Sequence, residues 1–567
     1  MNVLGIGGMG YKDSAAAVTV DGRLVAAAAE ERFGRMKHQG GFPHLAAASC
    51  LAEAGIGWGD VDLVAIANNP WIQLRERVVD WYGDSFFESG KFKVYHIFQD
   101  EIRHLIDYLK ACEDLRTEHG LEVEIVPHHL CHLGSSFLLS PWEEAALLDI
   151  DGRGEVSTSA AGIGRGREIQ VLHQERMPNS LGLLYAAVTD FLGFYETDDE
   201  FRVMSISSLG EPAFLAQLRE VVELRDEGSF ALNPEYFAYH DGRAFLSDRF
   251  SEVFGSARRP GDPVTDRHQD LAASLQRVVE ETALHVARAL HEHSGLSRLC
   301  LSGGVAQNWV FNGALVREGP FAEVSILPTV GDDGTAVGAA VVAACRRGDP
   351  RPAPLESSAL GPAFDEAAIR AECERRLVVF ERPDDIVAAA AEHLAAGRSL
   401  GWFQGRMEFG PRALGGRSIL ADPTRSDTRD RLVSGVKPRN RYHPFGLCLP
   451  AERVGEWFET DAASPHMLLY ARVRDAARAR IPAVVHVDGT VRYHSVARDV
   501  EPEFHRLLTE FGERTGVPAL LNTSLNRPGE PVACSPADGL DCYFGSGLEA
   551  LAIGPFLLRK RGIPAGG

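Results

Sequence analysis

The sequence predicts an α/β protein of two domains: a duplicated α/β fold and, after a linker, a second α/β domain. Three observations predict it. Two segments in the first third share one plan, a proline-rich break divides the chain, and strand–glycine turn–helix units recur. The 567 residues are enough for two or more domains with well-buried cores.

The stretch VLGIGGMGYKDSAAAVTVDGRLVAAAAEERF opens with an apolar run, then a glycine-rich loop, an alternating strand, a DGR turn and another strand. The stretch ALLDIDGRGEVSTSAAGIGRGREIQVLHQER repeats that order. Alternation with period two around glycine turns marks hairpins. Two copies, each followed by helical segments, describe a duplicated fold with a ligand cleft between its halves. SRLCLSGGVAQNWVFNGAL then places a strand, the turn Ser302, Gly303, Gly304, and a helix after Asn308. Small residues there let backbone amides approach a nucleotide, and the helix N-terminus favours negative charge. VSILPTVGDDGTAVGAAVVAA gives a strand, an acidic loop from Gly331 to Gly334, and a helix of small residues. From Cys345 to Ala363 periodicity stops and proline and small residues dominate, which reads as a linker. The expected domains are therefore 1–350 and 366–567, with 351–365 between them.

Composition excludes several classes. A formal charge of −21 repels nucleic acid and anionic membrane, so neither is expected as a partner. The longest apolar runs are too short to span a bilayer, and MNVLGIGGMG carries no charged region or cleavage signal. Nine cysteines without a CxxC pair fit a reducing cytoplasm better than a disulfide scaffold or zinc ribbon.

VPHHLCHLGSSF crowds three histidines and Cys131 together. On a helix, His128 and His132 lie one turn apart on one face, and His129 with His132 is a competing pair. Neutral imidazoles can hold a divalent ion, but two ligands do not make a site. Asp151, ending ALLDID, and Asp332, in the acidic loop, are candidate carboxylates. Two histidines with one or two aspartates suit Fe(II), Mn(II) or Zn(II). The competing reading is a polar helix with satisfied histidines.

From Arg406 to His443 nine Lys or Arg stand against four acids. Arg412 and Arg417 flank Gly415 and Gly416, and Lys437, Arg439 and Arg441 alternate, so on a strand they share one side. Guanidinium forks bind phosphate oxygens, and the interleaved glycines turn a basic run toward a phosphate site. In PALLNTSLNRPGEPV, Asn522, Thr523, Ser524 and Asn526 close a strand in amides and hydroxyls suited to a sugar or a small acyl group.

Taken together, HHLCH, DGRGE, SGGVAQN, GDDGTAVGAA, GRMEFGPRALGGRSILADP, IPAVVHVDGT and LNTSLNRPGEP, in that order, resemble the O-carbamoyltransferase family. That family includes the nodulation-factor, cephamycin and tobramycin carbamoyltransferases. The resemblance implies an actin/Hsp70-like duplicated N-terminal domain, similar to the tRNA threonylcarbamoyl-transfer protein. It also implies a C-terminal domain with the threonylcarbamoyl-adenylate synthase fold. The activity implied is ATP-dependent: carbamoyl phosphate and ATP give carbamoyl-adenylate, and carbamoyl passes to a hydroxyl of a small natural product. Antibiotic and other secondary metabolism is the implied setting, in the cytoplasm, with a homodimer allowed.

By motif, His128, His132, Asp151 and Asp332 match the family's metal ligands, for Fe(II) first and Mn(II) or Mg(II) as alternatives. His128, His132, Asp151, Lys437 and Arg439 are the expected catalytic set. Lys12, Ser302, Gly303, Gly304, Asn308, Arg412, Arg417, Lys437, Arg439, Asn522, Ser524 and Asn526 are the expected nucleotide and donor contacts. The chain departs from the pattern at Lys12, where histidine is usual, at Asn440 and His443, where glutamate and arginine are usual, and at His494, where glutamine is usual. Two other readings fit: carbamoyl-type transfer to tRNA, which the charge opposes, and a non-catalytic metal- and nucleotide-binding scaffold. The acceptor is unreadable in variable segments such as Trp71 to Phe98.

Overall fold

The computed structural model describes residues 1–9, 12–75, 92–196, 198–238, 245–438 and 443–560. The chain divides into two compact units. One comprises Met1–Ala27, Gln39–Ala47 and Ala54–Leu355; the other comprises Ala28–His38, Ala48–Glu53 and Glu356–Gly567.

The first unit carries two five-stranded sheets. One is built from β1 (Asn2–Gly7), β2 (Ala15–Val20), β3 (Arg23–Ala29), β4 (Leu63–Ala67) and β5 (Glu122–Val126) in the order β3-β2-β1-β4-β5. Next along the chain come β6 (Glu144–Ile150), β7 (Ser157–Arg165), β8 (Glu168–Arg176), β9 (Val222–Leu224), β10 (Phe230–Leu232), β11 (Arg298–Ser302) and β12 (Glu323–Ile326). The second sheet runs β8-β7-β6-β11-β12, and β9 and β10 form a separate ribbon. The two sheets are the same construction. Each central strand, β1 or β6, has an antiparallel hairpin partner on one side and a parallel strand on the other. This is the duplicated α/β arrangement expected from the echo of the two segments.

β4 is buried along its whole length and β1 along nearly all of it, as a strand covered on both faces must be. The helix Gly334–Arg346 lies against β1 and against the helix His128–Phe137. Its small residues are a steric requirement. A Cβ on Gly338 would sit 1.9 Å from the Cys131 carbonyl oxygen, so only glycine lets the two helices approach this closely. That approach sets the helix bearing the histidines beside the helix that starts at the acidic loop.

The second unit holds an eight-stranded mixed sheet. Its strands are β13 (Leu400–Phe403), β14 (Arg417–Ala421), β15 (Gly446–Pro450), β16 (Leu469–Arg472), β17 (Thr490–Val496), β18 (Leu520–Ser524), β19 (Ala550–Ile553) and β20 (Phe556–Arg559). They run β16-β17-β15-β18-β14-β13-β19-β20. The helix Pro502–Thr515 shows why it packs where it does. Phe504, Leu507, Leu508 and Phe511 recur at helical spacing, all buried, and join Trp402 and Leu520 in one core. Proline opens that helix and Gly516, at φ +77°, closes it.

The segment 28–38 belongs to this unit because of its arginines. Arg35 donates to the carbonyls of Pro531 and Val532 at 2.8 and 2.7 Å and faces Asp538, while Arg32 donates to the Gly410 carbonyl at 3.0 Å. Among the described residues, no helix is long and apolar enough to cross a membrane.

Candidate active site

In the first unit four sequence-predicted residues converge. Pro127 precedes the helix, which puts His128 and His132 one turn apart, and their Nε2 atoms lie 3.1 Å from each other. Asp151, just past β6, brings Oδ2 to 3.4 Å from His128 Nε2. Asp332, in the acidic loop, places Oδ1 3.7 Å from both Nε2 atoms. One donor atom from each residue lies within 4.8 Å of all the others. His128, His132 and Asp151 are buried and Asp332 is half-buried.

The glycine turn after β11 serves this cluster. Gly304 N–H donates to Asp151 Oδ1 at 2.8 Å, and Arg153 N–H donates to its Oδ2 at 3.2 Å. Gly303 has φ +87°, and a Cβ there would fall 2.3 Å from Asp149 Oδ1. The turn thus seats the carboxylates at the end of β6 rather than leaving space above them.

Electrostatics follow from this crowding. Burial disfavours a charged His128, but Asp151, Asp332 and Glu155 outweigh it and raise the imidazole to about 10. Burial likewise opposes charge on Asp151, yet the histidines, His128 first, hold it well below the ordinary carboxylate range. Two imidazole nitrogens and two carboxylate oxygens sharing one buried point fit a divalent cation in donor type, number and charge.

Sequence reasoning missed the supports. Glu155 Oε1 accepts from the backbone N–H of His128 at 3.0 Å and of Asn69 at 2.8 Å, tying the histidine-bearing helix to the residues that precede Trp71. His129 Nδ1 and Asp149 Oδ2 meet at 2.5 Å, both buried. The signals were present: Asp149, near the end of β6, and Asp151, just past it, are two residues apart in ALLDID, and Glu155 closes DGRGE.

Lys12 also belongs to this neighbourhood. Burial opposes its charge, but Asp332, Asp13, Asp151 and Glu200 raise its pKa. Asn308 is the N-cap of the helix Trp309–Glu318, accepting from Val310 and Phe311 N–H, and it also pairs with Gln276. Ser302 is buried, and its Oγ has no hydrogen-bond partner among the described residues.

In the second unit, Lys437 gathers the end of β18. Its Nζ donates to the carbonyls of Ser524 and Asn526 at 2.7 and 2.8 Å, to Ser524 Oγ at 3.3 Å, and to Asn526 Oδ1. Asn522 Nδ2 donates to the Ala413 carbonyl at 2.9 Å, so the GPRALGG loop meets β18 directly. Glu408 shapes that loop: its Oε1 accepts from the N–H groups of Leu414, Gly416 and Arg417 at 2.6 to 3.1 Å. Arg412 is half-buried in the same loop.

Arg417 is placed differently from the others. It is fully buried, its guanidinium donates to the carbonyls of Gln404, Gly405, Gly416, Pro362 and Cys534, and it stacks 3.6 Å from the Phe403 ring centroid. Burial lowers it to about 10. Its donors knit the loop to the sheet. Arg439 and Asn440 lie outside the described residues. His443 and His494 are buried.

Family models for the carbamoyltransferase N-terminus and C-terminus match residues 2–341 and 391–560. The chain belongs to the carbamoyltransferase family. It is 35% identical to an uncharacterised Synechocystis protein over 99% of this chain and 97% of that one. It is 36% identical to the nodulation protein NolNO of Sinorhizobium fredii, over 97% of this chain and 79% of the relative. The 3'-hydroxymethylcephem-O-carbamoyltransferase of Streptomyces clavuligerus is 39% identical over 46% of this chain and 48% of its own. Among solved structures, T.kodakarensis HypF aligns over 61% of this chain and 48% of its own at 15% identity, with a TM-score of 0.31. A likeness at that score adds nothing to the strand order above.

Proposed function

We propose that this carbamoyltransferase is ATP-dependent and carbamoylates a hydroxyl of a small natural product. The observation that carries the reading is the presence of two polar clusters, one in each unit of a family member. In the second unit, Lys437 with Ser524, Asn526, Asn522 and Arg412 would bind carbamoyl phosphate and the adenylate. Carbamoyl phosphate, ATP and water would give carbamoyl-adenylate, phosphate and pyrophosphate. In the first unit, the acceptor oxygen would attack the carbamoyl carbon, AMP would leave, and the hydroxyl proton would pass to solvent or the leaving phosphate.

In this reading His128, His132, Asp151 and Asp332 hold a divalent cation, Fe(II), Mn(II) or Mg(II). Such an ion would supply Lewis-acid stabilisation of negative oxygens. Glu155 orients the helix that carries the histidines. Lys12, cationic beside the cluster, would offset charge on the leaving phosphate. The cephem carbamoyltransferase supports a small hydroxylated acceptor by its name, and with it a role in antibiotic or related metabolism. The net charge supports a small acceptor over tRNA. We place the protein in the cytoplasm on its sparse cysteines, none of them in a disulfide among the described residues.

The test is direct. Purified chain, supplied with a divalent metal, labelled carbamoyl phosphate and ATP, should release pyrophosphate and pass label to a member of a hydroxylated acceptor panel. Tight ATP binding with neither pyrophosphate nor labelled product would favour the non-catalytic scaffold instead.

A further inference from the structure

Asn522 lies on β18 between Leu420 of β14 and Gly446 of β15. Its side chain is buried, and Nδ2 donates both to the Ala413 carbonyl at 2.9 Å and to Cys448 Sγ at 3.1 Å. Its Oδ1 is shielded from solvent and has no hydrogen-bond partner among the described residues. A buried acceptor left unmatched is costly, so such an atom in a binding site calls for a donor on the ligand.

The amide cannot turn over to relieve this. Turning it would set Oδ1 against the Ala413 carbonyl, acceptor against acceptor. The thiol fixes the same sense. Cys448 and His494 pair across β15 and β17, and Sγ lies 3.5 Å from His494 Nδ1. The S–H therefore points to the imidazole and leaves the sulfur lone pairs to Asn522. His494 Nε2 in turn faces Glu501 at 3.5 Å. Burial keeps the thiol protonated and the imidazole neutral, as this direction of donation requires.

Two residues along the same strand face, Ser524 meets the Lys437 ammonium. An unmatched acceptor thus stands on the same strand as a cationic group suited to phosphate. We propose that Asn522 Oδ1 reads the amino group of the carbamoyl donor, and that Cys448, His494 and Glu501 form a positioning chain that locks the amide for this task. The proposal rests on the donor assigned above and adds how it is selected. Acetyl phosphate has the same phosphate and nearly the same shape, but its methyl group has no N–H to offer.

The experiment measures ATP-dependent pyrophosphate release by the full chain with carbamoyl phosphate and with acetyl phosphate. Wild type is expected to prefer carbamoyl phosphate by about 100-fold or more in kcat/KM, the discrimination a site built around a hydrogen bond can reach. Cys448→Ala should narrow that ratio about 10-fold at unchanged KM for ATP, and Cys448→Ser, which keeps an acceptor and a donor, should restore it. Calorimetric binding of the two phosphates to wild type repeats the comparison independently of how the variants fold. Equal use or equal binding of both donors by wild type overturns the proposal and leaves carbamoyl transfer standing. Failure of wild type to bind or use carbamoyl phosphate at all overturns the donor assignment itself.

Discussion

Each unit buries a cluster of histidines and carboxylates, and the two clusters are in opposite charge states. In the first unit His128 is raised to about 10 and Asp151 is held well below the usual carboxylate range. In the second, burial lowers His494 to about 3 and His466 to about 4, and burial with the nearby Glu408 raises Glu501 well above its ordinary value. Separation alone does not explain the contrast. His128 to Asp151 is 3.4 Å and His494 to Glu501 is 3.5 Å. Numbers of acids explain it. Asp151, Asp332 and Glu155 all act on His128, whereas burial, with His466 beside it, governs His494. The first cluster is charged and suited to a dication. The histidines of the second are neutral and suited to reading a neutral group.

The contrast breaks most visibly if the metal reading is wrong. His132→Ala should abolish stoichiometric binding of Fe(II) or Mn(II), measured by elemental analysis, and lower carbamoyl transfer by about 1,000-fold. Pyrophosphate release in the second unit should persist. Loss of pyrophosphate release with metal content intact would reverse the assignment. Lys437→Met is the mirror experiment. It removes the ammonium that gathers Ser524 and Asn526, and it should cut pyrophosphate release by about 100-fold while leaving metal content unchanged.

The same contrast bears on what the sequence makes legible. The duplicated fold was readable because hairpins and glycine turns are local, and two copies of one order fold into two sheets of one order. The HxxxH spacing, Asp151 and Asp332 were readable as candidates for the same reason, each lying at a strand or helix end. What escaped depends on register and burial between distant strands. Cys448 and His494 are 46 residues apart, and only the β15–β17 pairing brings them together. Arg417 looked like its neighbour Arg412, since both flank a glycine pair. Burial separates them: Arg417 enters the sheet as the first residue of β14, where its donors meet carbonyls.

That difference is testable without substrate. Arg417→Lys keeps a charge but cannot serve five carbonyls with a planar fork. It should destabilise the protein by about 3 kcal/mol, read as a lower urea midpoint, because buried carbonyls lose their partners. The KM for carbamoyl phosphate should change little in the folded fraction. A large rise in KM at unchanged stability would make Arg417 a donor contact after all.

The smallest expected effect concerns acid. A histidine whose folded pKa is depressed stays neutral in the fold while the unfolded chain takes up the proton. Its contribution is fully present above the unfolded value of about 6.5 and is lost progressively as pH falls toward the folded value, about 3 for His494. Glu501, raised in the fold, acts in the opposite sense, favouring the folded state below the unfolded glutamate value and losing that advantage as pH rises above it. Stability measured from pH 6.5 down to pH 4 should therefore fall, and His494→Gln should shed less of it by about 2 kcal/mol, with Glu501 present in both proteins. The first cluster gives no reason for His494 to matter, so parallel acid limbs in the variant and wild type would mean that the imidazole is not held neutral and that the two clusters do not differ in charge state.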